Sequence, residues 1–159
     1  MQPQPAIQQQ EKGMSHRLPK SERLCSHFLI ERLFQPTTNA SLAAYPVRIV
    51  YRISEQPEQG AYRGNDSNAI LISVPKRMFK HAVDRNKVKR QIREAYRNNR
   101  KLIRIPEGKV VHIAFIWLDD KHHPTATVEA KVRNLLTRMS EKMARQHGQA
   151  DVEVTQESL

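Results

Sequence analysis

Basic side chains recur at helical spacing between Ala82 and Arg104, and this segment carries the clearest chemistry in the sequence. On a helix with about 100° per residue, Val88, Ile92 and Tyr96 share one apolar stripe that can face a core. The adjoining arc of about 100° carries the residues that we call the basic ridge: Asn86, Lys89, Arg90, Arg93, Arg97, Arg100 and Arg104. Like charges one turn apart repel each other, and guanidinium groups bind phosphates in bidentate fashion. The ridge therefore predicts polyanion binding in preference to a passive solvated face, and we expect no carboxylate within it.

The charge of the whole chain points in the same direction. Lys and Arg number 27 against 16 Asp and Glu, which gives a net charge of +11. Twelve bases but only two acids lie between Lys76 and Arg104, so most of the excess is concentrated in one window. A basic stripe of this kind is typical of proteins that bind nucleic acid.

Composition also excludes several classes of protein. No apolar run approaches the roughly 18–20 residues of a membrane span. Cys25 is the single cysteine, so an intrachain disulfide cannot form. The first ten residues, MQPQPAIQQQ, lack the basic and apolar regions of a secretory signal. We expect a cytoplasmic protein without membrane contact and without a small-molecule substrate, since the five glycines form no phosphate-binding loop.

Hydrophobic periodicity predicts the elements that position the ridge. Ser21 can cap a first helix over 21–34, and Thr125 can cap a third one, while the ridge lies on a second helix over 83–103. Strands are predicted over 44–53, 69–74 and 109–118, with one more short strand near 37–46 or 60–67. This order predicts an α+β fold, in which a small mixed sheet of about four strands packs with three helices.

The chain ends differ in composition from the centre. Residues 1–15 are rich in Gln and Pro and predict a disordered tail, and residues 148–159 predict a disordered acidic tail. The folded domain is then expected over 16–147. Within it, the segments 36–44 and 55–68 are predicted to be long loops.

Three segments together resemble a known family. The run Ala82–Arg97 contains every fixed position of the pattern A-V-x-R-N-x-x-K-R-x-x-R-E-x-[FY]-R, the signature of the bacterial ribonuclease P protein subunit. Arg17–Leu24 is similar to the opening R-L-x-K-x-x-x-[FL] of that family, and Ser73–Arg77 matches its S-V-x-K-K/R strand end. The resemblance covers about residues 17–145. The segments 36–44 and 55–68 are longer than the usual loops of the family.

The resemblance implies a function and a partner. Proteins of this family are non-catalytic subunits of an endoribonuclease whose RNA holds Mg²⁺ and removes the 5′ leader from precursor tRNA. The implied partners are the ribonuclease P RNA and precursor tRNA, and no protein side chain is expected to be catalytic. The positions that the resemblance assigns to RNA binding are Arg85, Asn86, Lys89, Arg90, Arg93 and Arg97. It also implies a left-handed βαβ crossover, against the general rule.

The resemblance further implies a cleft between the sheet and the first helix that takes the single-stranded leader. Aromatic rings can stack on bases there without sequence preference, and cations can bind phosphates. Our candidates are Phe34 and Tyr51 for stacking, and Arg48 and Arg52 for phosphates. Leu24 stands where the family often has an aromatic residue, so one stacking ring is expected to be missing.

Other interpretations remain open at the level of the sequence. A general RNA-binding or ribosome-associated protein would need the same basic ridge, and a DNA-binding regulator is disfavoured because no short helix-turn-helix pair precedes the ridge. Asp84 stands where the family usually has a basic or neutral residue, and a carboxylate there could bind a metal hydrate. The run Asp119-Asp120-Lys121-His122-His123 could also ligate a metal, but neighbouring residues rarely share one ion, which favours a solvated loop.

Overall fold

The structure is a computed structural model that describes residues 18–19, 22–37, 39–55, 68–106 and 108–157, with side chains described up to residue 146. These residues form three α-helices and four strands, in the order α-β-β-β-α-β-α. Their bounds are α1 His27–Leu33, β1 Ala40–Ala44, β2 Val47–Glu55, β3 Ala69–Ser73, α2 Ala82–Asn99, β4 Lys109–Trp117 and α3 Thr125–Glu157. A 3₁₀ turn, Arg100–Leu102, follows α2.

The four strands form one mixed sheet in the order β1-β2-β4-β3. β1 pairs antiparallel with β2 and β2 antiparallel with β4, whereas β3 and β4 are parallel. Parallel neighbours require a crossover connection, and α2 supplies it. The predicted α+β class and the mixed sheet are therefore confirmed, and β3 is an edge strand beside the crossover helix.

The sheet is covered on both faces, which explains why β4 is apolar along almost its whole length. On one face Ile49, Val111 and Phe115 pack against α2 and α3 in the main core. On the other face Val50 and Ala114 pack against Leu29 and Leu33 of α1. The large core lies under α2, and it fixes which side of that helix is left for solvent.

The first helix begins later than the sequence predicts. Ser26 is its N-cap, with the hydroxyl oxygen 3.5 Å from the amide of Leu29, so the prediction of a helix over 21–34 with Ser21 as cap is wrong. The preceding residues instead run beside the edge strand. Arg23 forms a parallel bridge with Ile70, and the amide of Leu24 donates to the Ile70 carbonyl at 2.9 Å. This pairing satisfies part of an otherwise open sheet edge, which is why the segment is extended.

The predicted strand over 44–53 corresponds mainly to β2, which begins at Val47, and only Ala44 belongs to β1. A turn at Tyr45-Pro46, with a cis peptide bond, separates β1 from β2. β1 confirms the additional short strand expected near 37–46 and occupies half of the segment predicted as the loop 36–44. The alternative strand position at 60–67 and almost all of the loop 55–68 lie outside the described residues.

The last helix differs from expectation at both ends. Thr125 is its first helical residue and does not cap it; its hydroxyl accepts a hydrogen bond from the Gln91 side chain at 3.2 Å. The helical backbone continues through Gly148 to Glu157, across the position where the sequence predicts the domain to end. The predicted tail over residues 1–15 lies outside the described residues. None of the described helices combines the length and apolar character of a membrane span.

Candidate nucleic-acid interface

The basic ridge lies on the side of α2 that the main core leaves uncovered. Val88 and Ile92 are fully buried and fix the rotation of the helix. As a result Arg90 is exposed, while Lys89 and Arg93 are half-buried and keep their charged ends at the surface. Asn86 is exposed one turn before Arg90. These four predicted residues therefore share one accessible face of one rigid helix.

Two members of the ridge are engaged by carboxylates, contrary to the expectation that no acid interrupts it. Arg97 forms an ion pair with Glu94 on the same helix, and the hydrogen bond to that carboxylate raises the pKa of the Arg97 guanidinium. Arg100 forms an ion pair with Glu22 at 2.7 Å. Glu22 comes from the extended N-terminal segment, 78 residues away along the chain, and local sequence gives no signal for it.

Arg85 is held by the backbone that precedes its own helix. One of its terminal guanidinium nitrogens lies 2.8 Å from the carbonyl oxygen of Phe79 and 2.9 Å from that of Lys80. Both carbonyls belong to the turn between β3 and α2, which presents Lys76 and Arg77 to solvent. The structure therefore places Arg85 as a link within this basic turn, whereas the resemblance assigns it to RNA.

The turn is also held from the other side by the loop that follows β4. The His122 ring stacks on the buried Phe79 ring at 4.6 Å between centroids, and its Nε2 lies 3.0 Å from the Asp84 carboxylate. Asp84 is thus paired with a histidine. Mg²⁺ in proteins takes several oxygen ligands, and the described residues contain no group of three His, Cys, Asp or Glu side chains that could hold a metal ion.

A second histidine fixes the base of that loop. His123 Nε2 lies 2.6 Å from the Asp119 carboxylate, and the His123 ring meets the Trp117 ring edge-on at 5.4 Å. Hydrogen bonds from His123, and then from Tyr45 and Asp120, lower the pKa of Asp119 to about 2. This run, for which the sequence favoured a solvated loop over a metal site, therefore has a structural role in which Asp119 stays ionised and ties the β1–β2 turn to the β4–α3 loop.

The opposite face of the sheet, beside α1, carries three of the four residues predicted for a leader cleft. Arg48 and Arg52 each lie two residues from Val50, which packs on α1. Because residues two apart on a strand share a face, both arginines lie on this side of the sheet. Arg48 is exposed and donates to the Ser41 hydroxyl at 2.9 Å. Phe34 is the C-cap of α1 and is 43% exposed. We group Phe28, Phe34, Arg48 and Arg52 under the name α1 cleft, after the cleft that the family resemblance implies.

Tyr51 does not belong to the α1 cleft. It is 2% exposed and packs in the main core on the other face of the sheet, because neighbouring residues of a strand point in opposite directions. Burial raises the pKa of its hydroxyl. The prediction that Tyr51 stacks on bases beside Arg48 and Arg52 is therefore wrong on geometric grounds.

Two residues that sequence reasoning missed lie at these surfaces. The Phe28 ring is 48% exposed on α1, with the Arg32 guanidinium 5.4 Å from its centroid. A helix beginning at residue 27 buries Leu29 and Leu33, four positions apart, and this spacing would have identified Phe28 as outside the stripe. Arg23 lies on the extended segment opposite the basic ridge, and no local pattern predicts that position.

The mixed sheet, the crossover helix and the basic ridge together define a small domain suited to binding a polyanion. Comparison with known proteins agrees with this class of protein. A model of the family Ribonuclease P matches residues 18–140. The ribonuclease P protein components of two Porphyromonas gingivalis strains are 36% identical over 126 residues, covering 77% of this chain and 86% of each relative. The ribonuclease P protein from Thermotoga maritima has a similar structure, with a TM-score of 0.56 and 26% identity over 74% of this chain and 96% of that one.

The chain belongs to the ribonuclease P protein family. The known role of this family is the processing of tRNA at the 5′ end within a ribonucleoprotein, so membership implies an RNA partner. The family resemblance found in the sequence is thereby confirmed.

Proposed function

We propose that this chain is the cytoplasmic protein subunit of a ribonuclease P holoenzyme, and that its basic ridge binds the catalytic RNA during removal of the 5′ leader from precursor tRNA. The observation that carries the proposal is the face of α2 formed by Lys89, Arg90 and Arg93, in a chain of this family. These cations project from one helix whose rotation is fixed by its buried stripe. Preorganised cations of this kind bind a polyanion with little loss of conformational entropy.

In this proposal the protein supplies charge and shape, and the RNA supplies the chemistry. Mg²⁺ is held mainly by RNA phosphates, and when bound it provides the Lewis acid for phosphodiester hydrolysis. The donor sets of the described chain fit this division, because Asp84 and Asp119 are each engaged by a histidine. The side chains of the ridge would neutralise phosphates of the folded RNA and so lower the Mg²⁺ concentration that the RNA needs.

We also assign the leader of precursor tRNA to the α1 cleft. Phe28 and Phe34 offer exposed rings at the two ends of α1, and Arg48 is an accessible cation on the neighbouring strand. Stacking contributes about 1–3 kcal/mol per base and tolerates any base. An arrangement of this kind would bind leaders of different sequence.

The test is reconstitution with a bacterial ribonuclease P RNA and precursor tRNA at a Mg²⁺ concentration where the RNA alone is nearly inactive. The triple variant Lys89→Ala, Arg90→Ala, Arg93→Ala is compared with Lys131→Ala, Lys142→Ala, Arg145→Ala. The control removes the same charge from another helix, α3. We expect release of the leader with wild type and with the control, and a large loss with the ridge variant.

The salt dependence of RNA binding gives the second readout. Each lost phosphate contact lowers the slope of log K against log salt by about 0.7–0.9, so the ridge variant is expected to lose about 2–3. Tight RNA binding by wild type without stimulated cleavage would instead support a general RNA-binding or ribosome-associated protein. Equal slopes for the two triple variants would show that the ridge has no special role.

A further inference from the structure

A groove separates α2 from the open edge of the sheet. It encloses about 200 Å³, and its walls come from three parts of the chain. Six of its lining residues carry the argument: Arg23, Leu24, Ile70, Ile72, Lys89 and Arg93. The floor is aliphatic, and the rim is cationic on both sides. This groove adjoins the basic ridge but lies at the opposite edge of the sheet from β1.

The N-terminal segment is tied down so that Arg23 faces the helix. The Glu22 carboxylate accepts from Arg100 of the 3₁₀ turn at 2.7 Å, and the Leu24 amide donates to Ile70 of β3 at 2.9 Å. These two contacts flank Arg23 on both sides and fix its backbone. Arg23 is exposed, and together with Lys89 and Arg93 it brings three cations to one groove.

The groove differs in charge from the neighbouring part of the helix. Arg97 and Arg100, one and two turns along α2, are each paired with a glutamate. The lining of the groove contains no carboxylate among the described residues. An anionic group that enters the groove would therefore meet three positive charges without displacing an ion pair.

The size and the aliphatic floor select the kind of anion. A cavity of about 150 Å³ lined by aliphatic and aromatic residues is enough to hold a benzene ring, so a groove of this volume has room for one ring system. Guanidinium planes stack on unpaired bases and also bind phosphates. We propose that the groove binds one unstacked nucleotide of RNA, with the base between Ile72 and the guanidinium plane of Arg23 and the phosphate on Lys89 and Arg93; this rests on the proposed RNA-binding function.

The test uses the full-length protein and two labelled oligomers of equal length and charge, a short oligouridylate and its abasic counterpart. Wild type is expected to bind the oligouridylate about tenfold more tightly, as one stacked base would give. Arg23→Ala should reduce that ratio several-fold, whereas Arg145→Ala, an exposed arginine on α3, should leave it unchanged. Thermal unfolding checks that each variant is folded.

A second variant tests the groove without changing its charge. Ile72→Ala removes most of the aliphatic contact with the base and should reduce the preference for bases while the salt slope stays at the wild-type value. If it lowers the melting temperature, the Arg23→Ala comparison alone decides the result.

Three outcomes would overturn the proposal: equal affinity of wild type for both oligomers, an Arg23→Ala loss that is the same for both, or an unchanged preference in both variants. Each can occur while wild-type protein still stimulates leader release, which would leave the proposed subunit role standing, although equal affinity would also count against base stacking in the α1 cleft. Failure of that stimulation would instead count against the proposed function.

Discussion

Arg85 gives the sharpest prediction, because the sequence and the structure assign it different roles. Its guanidinium donates to two carbonyls of the turn before α2. A hydrogen bond contributes about 0.5–1.5 kcal/mol net, and the partly exposed position favours the lower half of that range. We therefore expect Arg85→Ala to lower the free energy of unfolding by about 1–2 kcal/mol, which corresponds to about 2–8 °C in melting temperature for a chain of this size.

Two measurements on the same variants separate the roles. Thermal unfolding reports the turn, and the salt dependence of RNA binding reports phosphate contacts. Arg85→Ala should lower the melting temperature and leave the salt slope close to wild type. The matched variant Arg90→Ala, at an exposed ridge position, should do the reverse and lower the slope by about 0.7–0.9.

Arg85→Lys refines the test, since the ammonium keeps the charge but lies at a different reach from the backbone than the guanidinium nitrogen that contacts both carbonyls. It should give an intermediate melting temperature and an unchanged slope. A folded Arg85→Ala protein with the melting temperature of wild type and the slope of Arg90→Ala would refute the structural role and restore the assignment to RNA.

Three further changes are expected to have measurable effects. Asp119→Asn should destabilise the protein at neutral pH. Because the folded pKa of about 2 lies below the ordinary 3.8, the loss of unfolding free energy relative to wild type should be full above about pH 4 and shrink as the pH falls to about 2. Urea unfolding at stepped pH would contradict this if the loss stayed constant. Tyr51→Phe removes a buried hydroxyl that has no hydrogen-bond partner among the described residues, so stability should rise by up to about 1 kcal/mol with RNA affinity unchanged; weaker RNA binding would return Tyr51 to the interface. Phe28→Ala removes an exposed ring, so the affinity of the reconstituted holoenzyme for precursor tRNA should fall at least about fivefold. Its affinity for leaderless tRNA and its melting temperature should stay unchanged. Equal losses for both tRNAs would argue against a leader contact.

The two faces of the sheet differ in how far helices cover them, and each supports a different proposed surface. α2 and α3 bury the larger core on one face, and α1 covers only part of the other. The covered face holds α2 rigidly, so the cations of the ridge stand in fixed relation to each other. The partly covered face leaves rings and arginines accessible beside α1. A single small sheet can thus support one proposed surface for a folded RNA and another for a single strand.

Local pattern was enough for much of this fold. The helical period of Ala82–Arg97 placed Val88 and Ile92 inside and Arg90 outside, because burial on one side of a helix depends on spacing alone. β3 and β4 were predicted nearly to their observed ends from short apolar runs. Alternation along β2 was also enough to place Tyr51 on the opposite face of the sheet from Arg48 and Arg52, since side chains of a strand change face at every residue. The signature residues of α2, all local in sequence, were sufficient to indicate the family.

Contacts between distant segments decided the rest. Ser21 and Ser26 are both suitable helix caps, and the choice between them depends on the pairing of Leu24 with Ile70 at the sheet edge, which no local propensity encodes. The sequence by itself determined a basic helix and the family. Only the tertiary structure decided that Glu22 neutralises Arg100 and that Arg23 joins Lys89 and Arg93 at one groove. The reason is physical: periodicity fixes the direction of a side chain from its own element, whereas its partners depend on which elements the shared core brings together.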